Sequence, residues 1–298
     1  MHPLIKRASE NLSTQRLCDL AAVSRSSFYR ASKPPEPRVD PDEVILQHIR
    51  AICQEFPSYG VPRVTRELRR RGFRVNHKRV ARLMDKTNLH CRRKKRFVRT
   101  TDSKHPFRVY PNVAKDVVVV RPNQLWRADI TYVRLLREFI YLAVILDAFS
   151  RRVVGWALSR HINAALTLTA LTMAIKTRQV TPGLVHHSDR GVQYACDDYI
   201  ALLKLHNFTI SMSRKGNPYD NAMAESFMKT LKVEEVYISD YQTVSQATSN
   251  IHQFIETVYN SKRLHSSLGY LTPCEKEADY HYSQKPNLSL QETVSAKG

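Results

Sequence analysis

The segment Phe139-Ile140-Tyr141-Leu142-Ala143-Val144-Ile145-Leu146 is the longest unbroken apolar run in the chain, and it restricts what the neighbouring sequence can become. Its eight residues are rich in aromatic and β-branched side chains and are closed by Asp147, the pattern of a strand buried on both faces. The run is far too short to cross a bilayer, and Met1-His2-Pro3 does not open a signal peptide, so a soluble, unexported, cytoplasmic protein is expected. A strand with no polar face needs partners along its edges and cover above and below. Residues 125–135 before it and 153–158 after it read as strands joined by short polar turns, an antiparallel meander. The spacing then predicts a helix over 164–177, a short strand over 184–187, a helix over 194–206 with Ile200, Leu203 and Leu205 apolar, and a last strand over 209–212. The expected class is α/β, a mixed sheet with helices on its faces.

Upstream of the sheet the dominant feature is charge. The 298 residues carry 47 Lys and Arg against 27 Asp and Glu, a formal net charge of +20 and a sequence pI near 9.9. Residues 1–110 hold 26 basic and 10 acidic side chains, net +16, so the first third carries most of the field. Such a balance points to a polyanionic partner. Two all-α units fit that partner. Ser13 can cap a helix burying Leu17 and Leu20, and after Ala21-Ala22-Val23 a second helix presents Arg25, Ser26, Tyr29 and Arg30 from its first turns, helix-turn-helix spacing. Past the Pro-rich break at Lys33-Pro34-Pro35-Glu36-Pro37, residues 43–56 carry a helical face with Val44, Ile45, Ile49 and Ile52, and a further helix spans 63–71. Asn76 caps a helix over 77–86 that exposes His77, Lys78, Arg79 and Arg82, and Arg92, Arg93, Lys94, Lys95 and Arg96 follow; all can reach phosphates. The expected organisation is a helix-turn-helix unit over 1–38, a second with its basic run over 39–96, a linker over 97–121 ending in a strand over 116–120, a catalytic core over 122–282 and a polar tail over 283–298.

The five cysteines are scattered and odd in number, with no C-x-x-C pair, which argues against a disulfide framework. His48, Cys53, His77, His90 and Cys91 lack the paired short spacings of a structural zinc site, and no zinc is expected.

Three carboxylates stand where such a sheet gathers chemistry. Asp129 lies in the first strand, pointing opposite to Ala128 and Ile130; Asp189 sits just past the fourth strand; Glu225 lies near the start of a helix that Asn221 can cap. Acids at a strand centre, a strand end and a first helical turn are expensive to bring together unless cations join them. Asp147 is a rival acid at the end of the second strand, and we read it as turn-forming or supporting.

The element order is that of the RNase H-like fold, and 35 residues separate Asp189 from Glu225. That spacing is the D,D(35)E pattern of transposases and retroviral integrases. The chain resembles the second-frame product of integrase-like bacterial insertion sequences through Tyr59-Gly60, Trp126-Arg127-Ala128-Asp129-Ile130-Thr131-Tyr132, Asp147-Ala148-Phe149-Ser150-Arg151-Arg152 with Gly155-Trp156, His187-Ser188-Asp189-Arg190-Gly191, the strings around Glu225, and Tyr259-Asn260 with Arg263, His265, Leu268-Gly269-Tyr270 and Thr272-Pro273. The resemblance spans residues 10–280.

It implies a DDE transposase, a polynucleotidyl transferase that cleaves and transfers DNA strands with Asp129, Asp189 and Glu225 as catalytic and metal-binding residues and two Mg²⁺ or Mn²⁺ ions as cofactor. No covalent protein–DNA intermediate is expected. The partners implied are the element's terminal repeats and target DNA, at least a second copy of the chain in the DNA complex, and the upstream-frame protein or a frameshift fusion with it, with no membrane. Glu225, Lys229 and Lys232 stand at i, i+4 and i+7, so the two lysines either line a DNA backbone path or form an ordinary Glu–Lys surface pair. His187 either touches the scissile phosphate or orders the strand end, and Arg263 and His265 either contact DNA or lock the long helix over 244–259 onto the core. Two readings compete with the transposase: a DNA-binding regulator or scaffold without chemistry, and an RNase H-like nuclease on RNA–DNA hybrids. The retroviral zinc module and the upstream coiled coil are both missing from the 298 residues.

Overall fold

The structure, a computed structural model, describes residues 13–32, 41–89, 106–214 and 218–284; the basic run at Arg92, Arg93, Lys94, Lys95 and Arg96 lies outside them. The chain divides into two compact units, 1–51 and 52–298, with the division inside a helix rather than at the Pro-rich break.

In the first unit, α1 (Thr14–Leu20) starts on Ser13, whose hydroxyl accepts the Arg16 N–H, and α2 (Arg25–Ser32) starts on Ser24, whose hydroxyl accepts the Ser27 N–H at 3.2 Å. Leu17 and Cys18 are the buried pair of α1, whereas Leu20, expected inside, is 74% exposed. Helix α3 (Pro41–Glu55) buries Ile45, Leu46, Ile49 and Ile52 and leaves Val44 out, because the stripe repeating every three to four residues excludes a side chain a quarter-turn away.

In the second unit, α4 (Val61–Arg70) and α5 (His77–Lys86) pack on each other, the latter capped as expected by Asn76, whose Oδ1 accepts the Lys78 N–H at 2.9 Å. Four strands of the sheet meet expectation to within a residue or two at each end: β1 (Leu125–Arg134), β2 (Phe139–Asp147), β3 (Val153–Ser159) and β4 (Val185–Ser188); β5 (Thr209–Met212) meets it outright. Their order is β3-β2-β1-β4-β5, antiparallel through β3, β2 and β1 and parallel from β1 to β5. Helices α6 (Ala164–Thr177), α7 (Val192–Ala195) and α8 (Asp197–Leu205) cover one face, with Ala128, Leu171, Tyr199 and Leu203 in the core between. The other face, with Leu142, Val144 and Leu146, is closed by α9 (Ala222–Leu231), α10 (Val244–Gln253) and the wide π-helical turns that continue each of them, Lys232–Val236 and Phe254–Tyr259. This is the mixed, doubly covered sheet that the buried β2 demands.

Three expectations fail locally. Residues 116–120 form no strand: Ala114–Asp116 is a 3₁₀ turn, and the Gln124 side chain donates to the Val118 carbonyl at 2.9 Å and accepts the Val120 N–H at 2.9 Å, occupying groups a ladder would need. The helix expected over 194–206 is broken at Cys196, whose ψ of 151° is extended, and Leu205 at its end is 74% exposed. The helix expected over 244–259 is α-helical only to Gln253.

Helix α11 (Pro273–Ser283) is tied to α4 by Glu275, which accepts from the Arg70 guanidinium, and to the sheet by a second, buried acid. Glu277, 5% exposed, accepts two bonds from Arg178 at 2.7 and 2.8 Å, one from Arg152 at 3.0 Å and one from the Ser150 hydroxyl at 2.8 Å. Asp147 is fully buried beside it and gathers the N–H groups of Asn123, Phe149 and Ser150, the turn-forming role expected of it.

Gly155 sets the distance between sheet and helix. A Cβ there would strike the Ala170 carbonyl oxygen and lie 2.7 Å from Ala174 Cβ and 2.9 Å from its nitrogen. Gly155→Ala is therefore expected to lower stability by about 1–3 kcal/mol through overpacking; an unchanged urea midpoint would show that α6 can retreat.

Candidate active site

Asp129 occupies the middle of β1, opposite Val144 of β2. The parallel register of β1 and β4 pairs Arg127 with His187, so Asp189, two residues further along, leaves β4 on the side where Asp129 stands. Ligands of parallel strands gather at this carboxyl end. The Asp129 Oδ1 accepts the Ile130 N–H at 2.9 Å, and the Asp189 Oδ1 accepts the Gly191 N–H at 2.8 Å, which turns the chain into α7. Gly191 leaves room for that carboxylate, since a Cβ would lie 3.0 Å from it.

Glu225, in the first turn of α9, arrives through a clasp on the two residues that precede Asp129. Asn221 holds the N-cap position of α9 but does not cap it; its Nδ2 donates instead to the Ala128 carbonyl at 3.1 Å. The Arg127 guanidinium donates to the Asp220 carbonyl. Asp220 in turn accepts from the Arg214 backbone at 2.8 Å and from its guanidinium at 3.0 and 3.2 Å, and this side-chain bond holds the Asp220 carboxyl well below the usual carboxylate range. Sequence reasoning missed Arg127, Arg214 and Asp220, because their partners are backbone groups or a neighbour across a turn. Adjacency to Asp129 and Asn221 was the one local signal.

The three acids act on one another. Burial first, then the negative charges of Asp189 and Glu225, push the Asp129 carboxyl up from 3.8 to about 8, against the opposing pull of the Ile130 N–H and of Lys232. Tyr194, buried with no hydrogen-bond partner for its hydroxyl among the described residues, feels both Asp129 and Asp189. Lys232 opens the π-turn after α9, half-buried, with its Nζ 3.9 Å from the centre of the Tyr132 ring, and Lys229 is exposed on α9.

Other expected site residues are placed differently. His187 is fully buried, its Nδ1 2.8 Å from the Ser211 hydroxyl and its Nε2 3.1 Å from that of Ser213, and burial holds it neutral with a pKa of about 4. It bridges β4 to β5, so the phosphate contact is corrected. Arg263, 5% exposed, donates to both Glu234 oxygens at 2.7 and 2.8 Å, and His265 is buried edge-on to Tyr259 at 4.8 Å. Both lock the end of the second π-turn, and their reading as DNA contacts is corrected too. Arg25, Ser26, Tyr29 and Arg30 are exposed on α2, as are Lys78 and Arg82 on α5, with Arg79 half-exposed.

Sequence comparison bears on this geometry. An integrase core domain family matches residues 119–218, a second integrase core domain family matches 206–273, and an HTH-like domain family matches 40–97. Over 268 residues, 89% of this chain and 98% of the relative, it is 38% identical to the insertion element IS600 31 kDa protein of Shigella sonnei. It is 36% identical over 277 residues, 90% of this chain and 95% of the relative, to transposase InsF for insertion sequence IS3A of Escherichia coli (strain K12). The chain belongs to the insertion-sequence transposases of the DDE class. A further member of that family, the IS904 transposase of Lactococcus lactis, is 37% identical over 79% of this chain and 94% of its own length. Among solved structures the transposase is similar to the HTLV-2 integrase catalytic core domain in complex with magnesium (15% identity, TM-score 0.42, 53% of this chain and 98% of that one). It is similar also to the BIV integrase core (22%, 0.41, 54% and 97%). Its role is DNA transposition and integration, and its helix-turn-helix region is DNA-binding.

The DDE family implies a divalent metal; carboxylates are the hard oxygen donors such a cation takes, and the Asp129 carboxyl is raised by burial and by Asp189 and Glu225, with Lys232 offsetting only part of this. Among the described residues no group of three or more His, Cys, Asp or Glu side chains is placed to hold a metal ion.

A carboxyl that holds its proton to about pH 8 when folded, but to about 3.8 when unfolded, costs stability progressively as pH rises through that window. In metal-free buffer Asp129→Asn should therefore melt higher than the wild type at pH 8, with the gap closing towards pH 4; equal melting curves at pH 8 would contradict the strained carboxylate.

Proposed function

We propose that Asp129, Asp189 and Glu225 are the catalytic acids of this transposase, cleaving DNA at the element's ends and joining the freed strands to target DNA. The observation that supports this most directly is the Asp129 carboxyl, raised by burial and by two acidic neighbours that Lys232 offsets only in part. Two divalent ions, Mg²⁺ or Mn²⁺, bound by the three acids would supply activation of water or a DNA 3′-hydroxyl and stabilisation of the departing oxygen in an in-line displacement at phosphorus.

The chain's own residues do the rest. Asn221 and Arg127 hold the start of α9 against β1 so that Glu225 is presented beside Asp129. Lys232 and Lys229 offer ammonium groups along the helix that carries Glu225, where a DNA backbone entering the site is neutralised and oriented. The exposed polar face of α2 and the basic face of α5 take the element's terminal DNA in major grooves, with sequence read by Arg25, Ser26, Tyr29 and Arg30 and phosphates held by Lys78, Arg79 and Arg82. Arg92, Arg93, Lys94, Lys95 and Arg96 add charge to that grip. Assembly on DNA is as at least a dimer, with the upstream-frame protein or a fusion with it as a second partner, in the cytoplasm at the nucleoid.

Incubated with DNA carrying the element's ends and Mg²⁺ or Mn²⁺, the wild type should nick and transfer strands, while Glu225→Gln should lose at least about a thousandfold in rate, on the order of 4 kcal/mol of barrier. Cleavage persisting in that variant would refute the assigned acids. Lys229→Ala and Lys232→Ala should each weaken donor-end binding and reduce its salt slope by about one; unchanged affinity and slope would remove the lysines from the DNA path.

A further inference from the structure

Helices α4 and α5 share a compact unit with the sheet: α4 is tied to α11 by the Arg70 guanidinium on Glu275, and the end of α3 and the turn before α4 are tied to the stretch 262–264. Lys262 pairs with Glu55 at 2.9 Å, and the Leu264 N–H donates to the Tyr59 hydroxyl at 2.8 Å. Between them Arg263 grips Glu234 with two parallel bonds of 2.7 and 2.8 Å. Glu234 lies in the π-turn that continues α9, two residues past Lys232 and nine past Glu225. One short stretch of backbone therefore holds the second helical module with one residue and the helix of Glu225 with the next.

The link is stiff at each end. Tyr59 is 1% exposed, stacked on Phe56 at 4.5 Å and covered by the Arg63 guanidinium at 5.5 Å from its ring centre. Asn260, three residues before Arg263, accepts from the Val153 N–H at 3.0 Å and donates to the Val153 carbonyl at 3.1 Å, fixing the stretch to β3. The Arg263 and Glu234 side chains are 6% and 10% exposed. A buried ion pair is not the cheapest way to join two elements, since an apolar pair of similar volume holds as well; what it adds is a single permitted geometry.

We propose that Tyr59, Arg263 and Glu234 are positioning residues that carry the seating of DNA on α4 and α5 to the π-turn behind Glu225 and Lys232. The proposal rests on the roles assigned above to those two residues. Seating DNA on the helical module loads the Tyr59 hydroxyl bond, Arg263 moves with Leu264, and Glu234 sets the angle at which α9 presents its acid.

Two conservative variants test it. Tyr59→Phe removes one hydroxyl and keeps the ring stack; Arg263→Lys keeps the charge and loses the paired bonds. Amide hydrogen exchange over residues 222–236 is measured with and without a saturating duplex carrying the element's terminal sequence. In the wild type DNA should slow exchange there. Both variants should keep DNA affinity within about twofold, lose most of the slowing, and cut strand cleavage of bound DNA about tenfold. The proposal is overturned if the variants retain wild-type slowing, which would mean DNA protects α9 directly, or if affinity and cleavage fall in parallel. Exchange needs no chemistry, so its outcome is separate from that of Glu225→Gln, which judges the acids themselves.

Discussion

A carboxylate in the central strand of a sheet is the constraint around which this structure is arranged. Asp129 cannot retreat, because β1 is paired on both edges, and it cannot be left alone, because burial and two neighbouring acids oppose its charge. The parallel partner β4 is what brings Asp189 into range, and the clasp of Asn221 and Arg127 brings Glu225. Each of those contacts uses the backbone of β1 or of the turn before α9, so the acids are placed by strands and a helix start rather than by their own side-chain bonds.

The same economy governs the remainder of the second unit. Single buried acids serve as junctions: Glu277 gathers two arginines and a serine to dock α11, Glu234 takes Arg263, and Asp147 closes the turn after β2. Each stands among several donors, which is what lets a carboxylate be buried at tolerable cost. The strongly basic composition is thus only partly a DNA-facing field; Arg178 and Arg263 are spent inside the fold.

The five strands were legible because β2 has no polar residue until Asp147, and a strand sealed on both faces forces its neighbours into a sheet. The places of the three acids in the fold, strand centre, strand end and first helical turn, were legible from the element pattern. What failed was decided by side chains acting on distant or unexpected backbone. Val117 to Val120 has a strand's composition, but the Gln124 amide bonds the groups a ladder would use. Asn221 has a cap's identity and position, yet its amide is drawn to the Ala128 carbonyl across the core. His187 and Arg263 look like polar residues near a phosphate site, and only the fold reveals that Ser211, Ser213 and Glu234 had already taken them inside.

The π-turn at Lys232–Val236 also constrains how the chain can change length. A π-turn completes one turn with one residue more than an α-turn, so it can lose one residue and relax into an ordinary helix with the segment beyond kept in much the same orientation, whereas a residue added or lost in the α-helical turns of α9 would rotate everything beyond by about 100°. Glu234 would swing away from Arg263, and α10 would leave the sheet face it covers. Length changes in the α-helical turns of α9 should therefore be scarcer among descendants of this sequence than in its exposed turns, and the π-turn is the place where a lost residue is absorbed.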